Sequence, residues 1–409
     1  MTGGDTVLNN IGFVSPATLN ISGNSLTINV AAPVSLQGEN TTINVTNDIN
    51  VTAVGKINAG GDLTSQAGNI TLNTAKGGIN VTGNLTAGKD ITLNTGKDKV
   101  TLNGTALNAT RNVSVTGDSV SLNNASLNAG EGNITVSGMN GGADIGIGMA
   151  GKTGLKASAG SITLNASSSN YVNHNTTYGG SLSLIKGNYS FVSQNTTINA
   201  RNTSNHTDVL FNSSQALSFR DNMTLSFVGN TTINADSQAG VGVYFATNNW
   251  DDKNYNISIA NGDLNINATG NTNAISFDAV LKAEGANTIA NFNIADDSTL
   301  NITGHSVTGD AITSWNMGGF YTDGQGGFVF SGGGDALVSG TSVYGNGVIS
   351  RYLKNTDLTG NLTIHGASTS GSGVLIDKNV QYNLKNATIT GTSQTGSGIS
   401  LAGNSNRKF

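Results

Sequence analysis

The chain has 409 residues, 19 Lys and Arg against 24 Asp and Glu, a net charge of −5 and no cysteine. Such a mild charge, without a basic stripe, argues against a nucleic-acid partner, and the lack of cysteine excludes disulfide frameworks and thiolate metal sites. Charged residues are only 11% of the chain, but hydrophobic residues reach 36% and recur at every second position, so we expect folded β-structure and not disorder.

A short phrase of alternating polar and apolar residues recurs along the first part of the chain. Residues 70–73 and residues 91–94 both read Ile-Thr-Leu-Asn, with a turn residue before them. The period of two predicts short strands with Ile and Leu on one face and Thr and Asn on the other. Repetition at roughly 20 to 25 residues predicts a solenoid, because one such unit cannot bury its apolar face alone. We therefore expect an all-β, parallel β-helix of about 18 rungs with about 22 residues each.

Composition divides the chain into three stretches, which we expect to form one continuous solenoid. Residues 1–170 carry regular Asn-rich rungs, residues 171–335 are irregular and aromatic-rich with loop excursions, and residues 336–409 carry rungs closed by Gly and Ser. In the last stretch the sequence around Ile364 returns around Ile389, 25 residues later. The glycines that close these repeats predict corners where φ is positive or where two rungs pass closely.

Residues 146–153, Gly-Ile-Gly-Met-Ala-Gly-Lys-Thr, match the phosphate-loop pattern G-x-x-x-x-G-K-[ST]. That motif wraps phosphates with backbone amides at the start of a helix. Here two further glycines and another strand phrase follow, and no strand–helix–strand unit surrounds the match. We interpret it as a Gly-rich corner of a rung.

Enzymes built on β-helices, such as polysaccharide lyases and hydrolases, need acids and bases clustered in a cleft. The best candidates are the acidic pairs Asp251-Asp252 and Asp296-Asp297, which lie in polar loops with no arginine near them in sequence. The four histidines show no metal-ligand spacing. We predict no enzymatic activity, no cofactor and no metal, and a β-helical polysaccharide lyase or hydrolase is the first alternative.

The middle stretch holds most of the aromatic residues, and several are flanked by polar residues that make burial difficult. Trp and Tyr can stack on apolar faces while keeping a polar edge, as binding platforms require. The alternative is that the aromatic side chains fill wider rungs from the inside. The candidates for a receptor-binding patch are Trp250, Tyr255, Trp315, Phe320, Tyr321 and Phe328.

Asn-x-Ser/Thr sequons are numerous, which predicts a heavily N-glycosylated surface protein. Strand alternation also places Asn and Thr together, however, and the reversed order Ser/Thr-x-Asn, which no glycosyltransferase reads, is nearly as frequent. Alternation therefore explains much of the excess. The candidate glycosylation sites are Asn44, Asn69, Asn80, Asn84, Asn103, Asn133, Asn195, Asn230, Asn301 and Asn361.

These rungs resemble those of a known family. Residues 68–73 (Gly-Asn-Ile-Thr-Leu-Asn), 83–88 (Gly-Asn-Leu-Thr-Ala-Gly) and 195–200 (Asn-Thr-Thr-Ile-Asn-Ala) look like the filamentous-haemagglutinin and high-molecular-weight adhesins, the exoproteins of Gram-negative two-partner secretion systems. The Gly-x-Gly-closed repeats near the C-terminus are similar to the glycosylated exoprotein adhesins of enteric bacteria. The likeness covers nearly the whole chain and lies in the style and composition of the repeats.

The resemblance implies a right-handed β-helix that is secreted or held on the bacterial cell surface and serves adhesion, host-cell binding and virulence. It implies three partners: a host-cell glycan or protein, an outer-membrane two-partner transporter engaged through a domain outside this chain, and a cytoplasmic N-glycosyltransferase. The family's Asn-Pro-Asn motif is missing, since Pro16 and Pro33 are the only prolines, so we expect an internal fragment of a longer exoprotein. A passive spacer that projects another domain is the second alternative.

Overall fold

The computed structural model describes residues 2–9, 20–36, 42–139, 145–169, 180–205, 214–246, 253–277, 288–313, 326–350, 353–376 and 386–401. These residues form strands, turns and bends, and they contain no helix. No membrane-spanning helix is therefore present among them.

The described residues form 38 strands of one hydrogen-bonded sheet. The first nineteen are β1 Thr2–Gly3, β2 Thr6–Asn9, β3 Asn20–Gly23, β4 Leu26–Val30, β5 Val34–Leu36, β6 Thr42–Val45, β7 Ile49–Ala53, β8 Ile57–Ala59, β9 Asp62–Ser65, β10 Ile70–Thr74, β11 Ile79–Val81, β12 Leu85–Ala87, β13 Ile91–Thr95, β14 Lys99–Asn103, β15 Ala106–Ala109, β16 Val113–Gly117, β17 Ser119–Asn123, β18 Ser126–Ala129 and β19 Ile134–Met139. The others are β20 Ile147–Ala157, β21 Ser161–Ser168, β22 Leu182–Asn202, β23 Gln215–Ser237, β24 Val241–Ala246, β25 Lys253–Ala260, β26 Leu264–Gly270, β27 Asn273–Phe277, β28 Thr288–Ile294, β29 Thr299–Ser306, β30 Ile312–Thr313, β31 Gly326–Gly332, β32 Asp335–Ser342, β33 Val348–Ser350, β34 Leu353–Leu358, β35 Leu362–Ser368, β36 Val374–Ile376, β37 Ala387–Ser393 and β38 Ile399–Leu401.

The chain divides into two compact units, the first made of residues 1–141, 145–166 and 190–196 and the second of the remainder. In the first unit a strand pairs in parallel with the strand three places later, as β10 does with β13 and β13 with β16. Each turn of chain thus contributes three short strands, and each of them pairs with the corresponding strand of the next turn. The predicted all-β, parallel β-helix is confirmed.

The core of the first unit follows from the period of two. Ile70 lies opposite Ile91, 21 residues later, and both are fully buried, whereas the alternating Thr71 is only partly buried. Stacking equal side chains on successive rungs makes a continuous apolar column. Each fully buried Ile or Leu contributes about 1.5–3 kcal/mol relative to an exposed one.

The second unit has longer rungs than the sequence indicated. Leu264 lies opposite Leu300 and Leu300 opposite Ala336, both intervals being 36 residues, and the rungs then shorten to 26 residues at Leu362 and 25 at Ala387. The figure of about 18 rungs assumed a uniform rung of about 22 residues. It is too high, because each long rung uses more chain for one turn.

The predicted C-terminal repeat is confirmed in register, since Ile364 lies opposite Ile389. Its closing glycines mark a close approach of backbone within the rung. A Cβ added at Gly366 would lie 2.0 Å from the carbonyl oxygen of Gly373, a distance that no side chain tolerates. Glycine is therefore required at this corner for space.

Candidate functional surface

The alternation that builds the core also places the candidate glycosylation residues on the outside. All ten lie among the described residues, and none is buried. The exposed ones are Asn44, Asn84, Asn103, Asn133, Asn195, Asn230 and Asn361, and the partly buried ones are Asn69, Asn80 and Asn301.

A column of Asp and Asn side chains links successive rungs of the first unit at the residue before a strand. The backbone N–H of Asn69 donates to Asp48 Oδ1 at 2.8 Å, and the N–H of Asp90 donates to Asn69 Oδ1 at 3.2 Å. The contact recurs from Asn112 N–H to Asp90 Oδ1 at 3.0 Å and from Asn133 N–H to Asn112 Oδ1 at 2.9 Å. Each side-chain oxygen satisfies a backbone donor of the next rung, a hydrogen bond worth about 0.5–1.5 kcal/mol.

The sequon asparagines differ in which atom of the side-chain amide makes a hydrogen bond. Asn84 accepts the N–H of Ala106 through Oδ1 at 3.0 Å, and its Nδ2 has no partner among the described residues. Asn69 instead donates its Nδ2 to Asp48 Oδ1 at 3.0 Å. An N-linked sugar is attached at Nδ2, so the amide of Asn84 is available for that bond while the amide of Asn69 is held against the neighbouring rung.

Two carboxylates in such columns have shifted pKa values, in opposite directions. Burial alone would raise the pKa of Asp90, but hydrogen bonds from Asn112 N–H and Nδ2 and the adjacent Arg111 guanidinium lower it below its ordinary value. Burial raises the pKa of Asp310, and the two hydrogen bonds from Asn346 offset only part of that increase. Burial is the largest influence on both pKa values and is stronger at Asp310, whereas Asp90 also has the Arg111 cation beside it.

Tyr255 and Phe328 were predicted to contact a receptor, and the structure shows this prediction to be wrong. Their exposed fractions are 0% and 3%. Both occupy inward positions of one column, and they pack edge-on against rings of the second unit's core: Tyr255 against Phe245 at 5.2 Å and Phe328 against Phe277 at 4.9 Å between centroids. The alternative, that aromatic side chains fill the wide rungs from inside, holds for these two residues.

The other aromatic candidates lie outside the described residues and stay predictions, as does the first acidic pair. They are Trp250, Trp315, Phe320, Tyr321, Asp251 and Asp252.

One strongly exposed aromatic residue was missed by the sequence analysis. Tyr344 has an exposed fraction of 65% and lies on a turn of the second unit, where its N–H donates to the carbonyl of Val307 in the preceding rung at 3.0 Å. The strand register makes Thr308 and Ser370 the residues at the same turn position one rung earlier and one rung later. Alignment of the C-terminal repeats shows the difference, because Tyr344 stands at a position where the neighbouring repeats have Thr or Ser.

The phosphate-loop match is a corner of a rung, as interpreted. Residues 147–157 form β20, and no helix follows among the described residues. Gly151 has a φ of +64°, and the N–H of Lys152 donates to Asn124 Oδ1 at 2.9 Å. A neighbouring side chain therefore takes the backbone donor that a phosphate would need.

The second acidic pair, Asp296-Asp297, lies exposed on a turn between β28 and β29. Asp297 Oδ1 accepts a hydrogen bond from Ser298 Oγ at 3.4 Å. Within the described part of the chain no group of three His, Asp or Glu side chains is placed to hold a metal ion.

Comparisons of this chain with protein-family models, with curated proteins and with solved structures find no match.

Proposed function

We propose that this chain is a segment of a secreted Gram-negative adhesin, which binds host-cell or bacterial surface ligands through its β-helix and carries N-linked sugar at its sequons. Tyr344 is the observation that carries the proposal. The fold accepts Thr308 and Ser370 at the equivalent turn positions, so it has no need of an aromatic ring there. An exposed tyrosine offers rigid contact area with a polar tip, which is typical of binding hot spots. This favours a binding surface over a passive spacer.

The way the rungs associate supports export of the chain in an unfolded state. Ile70 finds its partner Ile91 only 21 residues away, and the columns of side-chain hydrogen bonds also join adjacent rungs. A solenoid whose units contact only their neighbours can fold from one end as the chain emerges from a transporter. The absence of cysteine makes such folding independent of disulfide formation.

Replacing Tyr344 by the residue found one rung later tests the adhesin proposal. The variant Tyr344→Ser should lose saturable binding to epithelial cells or to bacterial surfaces, while its thermal unfolding temperature stays that of the parent. Ser370→Ala, on the next turn, is the matched control and should bind normally. If the parent chain binds no cell and no bacterium, the spacer alternative replaces the adhesin. Binding that Tyr344→Ser retains would remove the observation on which the proposal rests.

Intact mass of natively secreted protein tests the glycosylation part. A mass above that of the polypeptide by whole hexose units is expected, and a mass equal to the polypeptide contradicts it.

The enzyme alternative has its own test, polysaccharide turnover that the double variant Asp296→Asn, Asp297→Asn abolishes.

A further inference from the structure

A surface groove of about 460 Å³ crosses four successive rungs of the first unit. It runs where the strands β4, β7, β10 and β13 end and the chain turns. Strand pairing places Asn29, Thr52, Asn73 and Asn94 opposite one another, so they form one wall at the strand spacing of about 4.8 Å. The groove is therefore a repeated structure in which the same position of each rung supplies the same kind of group.

The wall presents both a hydrogen-bond donor and a hydrogen-bond acceptor. Asn94 donates its Nδ2 to Asn73 Oδ1 at 3.2 Å, and both side chains lie at the surface. Asn73 Nδ2 and Asn94 Oδ1 have no other partner among the described residues. A free amide donor and a free amide acceptor on one wall suit a ligand with hydroxyl groups, each of which can both donate and accept.

The turn residues that line the groove are small and apolar. Val54 has an exposed fraction of 48%, and Ala31 and Ala75 are exposed at the equivalent places of adjacent rungs. None of the lining residues is ionisable. A charged ligand would find no counter-charge in the groove, whereas the methyl groups suit a ligand with C–H faces.

The backbone also limits what can bind. The strand β10 is paired with β7 on one side and with β13 on the other, so an extended peptide cannot add to the sheet as a further strand here. Recognition must therefore use side chains and the backbone of the turns. We infer that the groove binds a neutral oligosaccharide lying along the axis of the first unit's β-helix, its hydroxyl groups on Asn73 and Asn94 and its C–H faces on Val54 and Ala75. The inference goes beyond the proposed adhesion through Tyr344, and it names a second site and its ligand class.

Blocking the groove without disturbing the core tests this site. The 409-residue chain is applied to an array of neutral, sialylated and sulfated oligosaccharides, and the strongest neutral ligand is then titrated in solution. Ala75→Glu adds bulk and charge to the exposed turn and should weaken binding at least about tenfold, which corresponds to about 1.4 kcal/mol. The control is Ala67→Glu, an exposed alanine at another turn of the same rung, which should bind like the parent.

Asn73→Ala is a second variant, which removes one amide from the wall and leaves the turn unchanged. It should also weaken binding of the neutral oligosaccharide, and its thermal unfolding temperature should equal that of the parent. Capture of anionic oligosaccharides alone, or binding that Ala75→Glu and Asn73→Ala both leave intact, overturns the inference.

The two proposals fail separately. If Tyr344→Ser abolishes cell adhesion and the parent binds no neutral oligosaccharide, the groove inference is rejected and the adhesin proposal stands. If Ala75→Glu loses oligosaccharide binding and the parent adheres to neither cells nor bacteria, the groove inference stands and the adhesin proposal is rejected.

Discussion

The backbone N–H of Asn346 donates to Asp310 Oδ1 at 2.7 Å, and Asn346 Nδ2 donates to the same oxygen at 2.9 Å. One rung earlier Asn273 Oδ1 accepts the N–H of Asp310 at 3.0 Å. A neutral amide and a carboxylate thus make the same inter-rung contact in one column. The contact needs an oxygen acceptor and does not need a charge.

We therefore predict that Asp310→Asn stabilises the second unit at neutral pH. The folded-state pKa of Asp310 is raised by burial above its ordinary value of 3.8. Its contribution to stability is fully present below that value and is lost as the pH rises through the folded-state pKa. Asparagine keeps the acceptor and carries no charge, so urea unfolding at a series of pH values should show less loss of stability from pH 4 to pH 7 than in the parent.

Asp90→Asn should show the opposite sign and serves as the comparison. Hydrogen bonds from Asn112 and the Arg111 ion pair depress the pKa of Asp90 in the folded state. Its contribution is present above the ordinary pKa and is lost as the pH falls through the lowered value. The variant should be less stable than the parent at neutral pH and equal to it in strong acid. If both Asp→Asn variants change stability at neutral pH in the same direction, the opposite pKa shifts of the two aspartates are contradicted.

Removing one side chain from the column of the first unit should open a specific backbone hydrogen bond. Asn112→Ala deletes the acceptor of Asn133 N–H, and the expected cost is about 0.5–1.5 kcal/mol. Hydrogen exchange at the Asn133 amide should accelerate. Asn94→Ala, which loses only a bond between two surface amides, should cost less and leave that exchange rate unchanged.

Phe328 should behave as a core residue. Phe328→Ala removes a ring that packs against Phe277, Phe292 and Phe330 and is expected to destabilise the second unit by about 3–5 kcal/mol. Phe328→Leu keeps most of the volume and should cost less than half as much. A Phe328→Ala variant with parent stability and lost ligand binding would restore the surface assignment.

The structure also predicts which sequons accept sugar when the folded chain is exposed to an N-glycosyltransferase. Among the described residues, the side chains of Asn84 and Asn133 use only Oδ1 in contacts with the neighbouring rung, whereas Asn69 and Asn361 hold Nδ2 against Asp48 and Asp335. Peptide mass spectrometry should show faster modification of the first two. Repeating the reaction on denatured chain should remove the difference, and a difference that persists there would have a cause other than the fold.

The local pattern was sufficient for the fold class but insufficient for rung length. In residues 70–73 each apolar residue alternates with a polar one, and both burial and the 21-residue interval follow directly from that pattern. Between Leu264 and Leu300 the rung includes β27, whose five residues are all buried and show no such alternation. The register of these rungs could therefore be read only from the pairing.

By itself, the sequence determined that the alternating phrases form a parallel β-helix with their own Asn and Thr outside, because the direction of a side chain alternates along any strand. Tertiary structure decided which aromatic residues reach solvent. Tyr255 lies between two asparagines in sequence and Phe328 follows two glycines, yet both lie in the core, since the long rungs enclose an interior wide enough for rings packed edge-on. Tyr344 lies exposed because its turn rests on the turn below and offers no interior to fill. Burial depends on which rung lies above and below, and in the second unit that relation joins residues 25 to 38 positions apart.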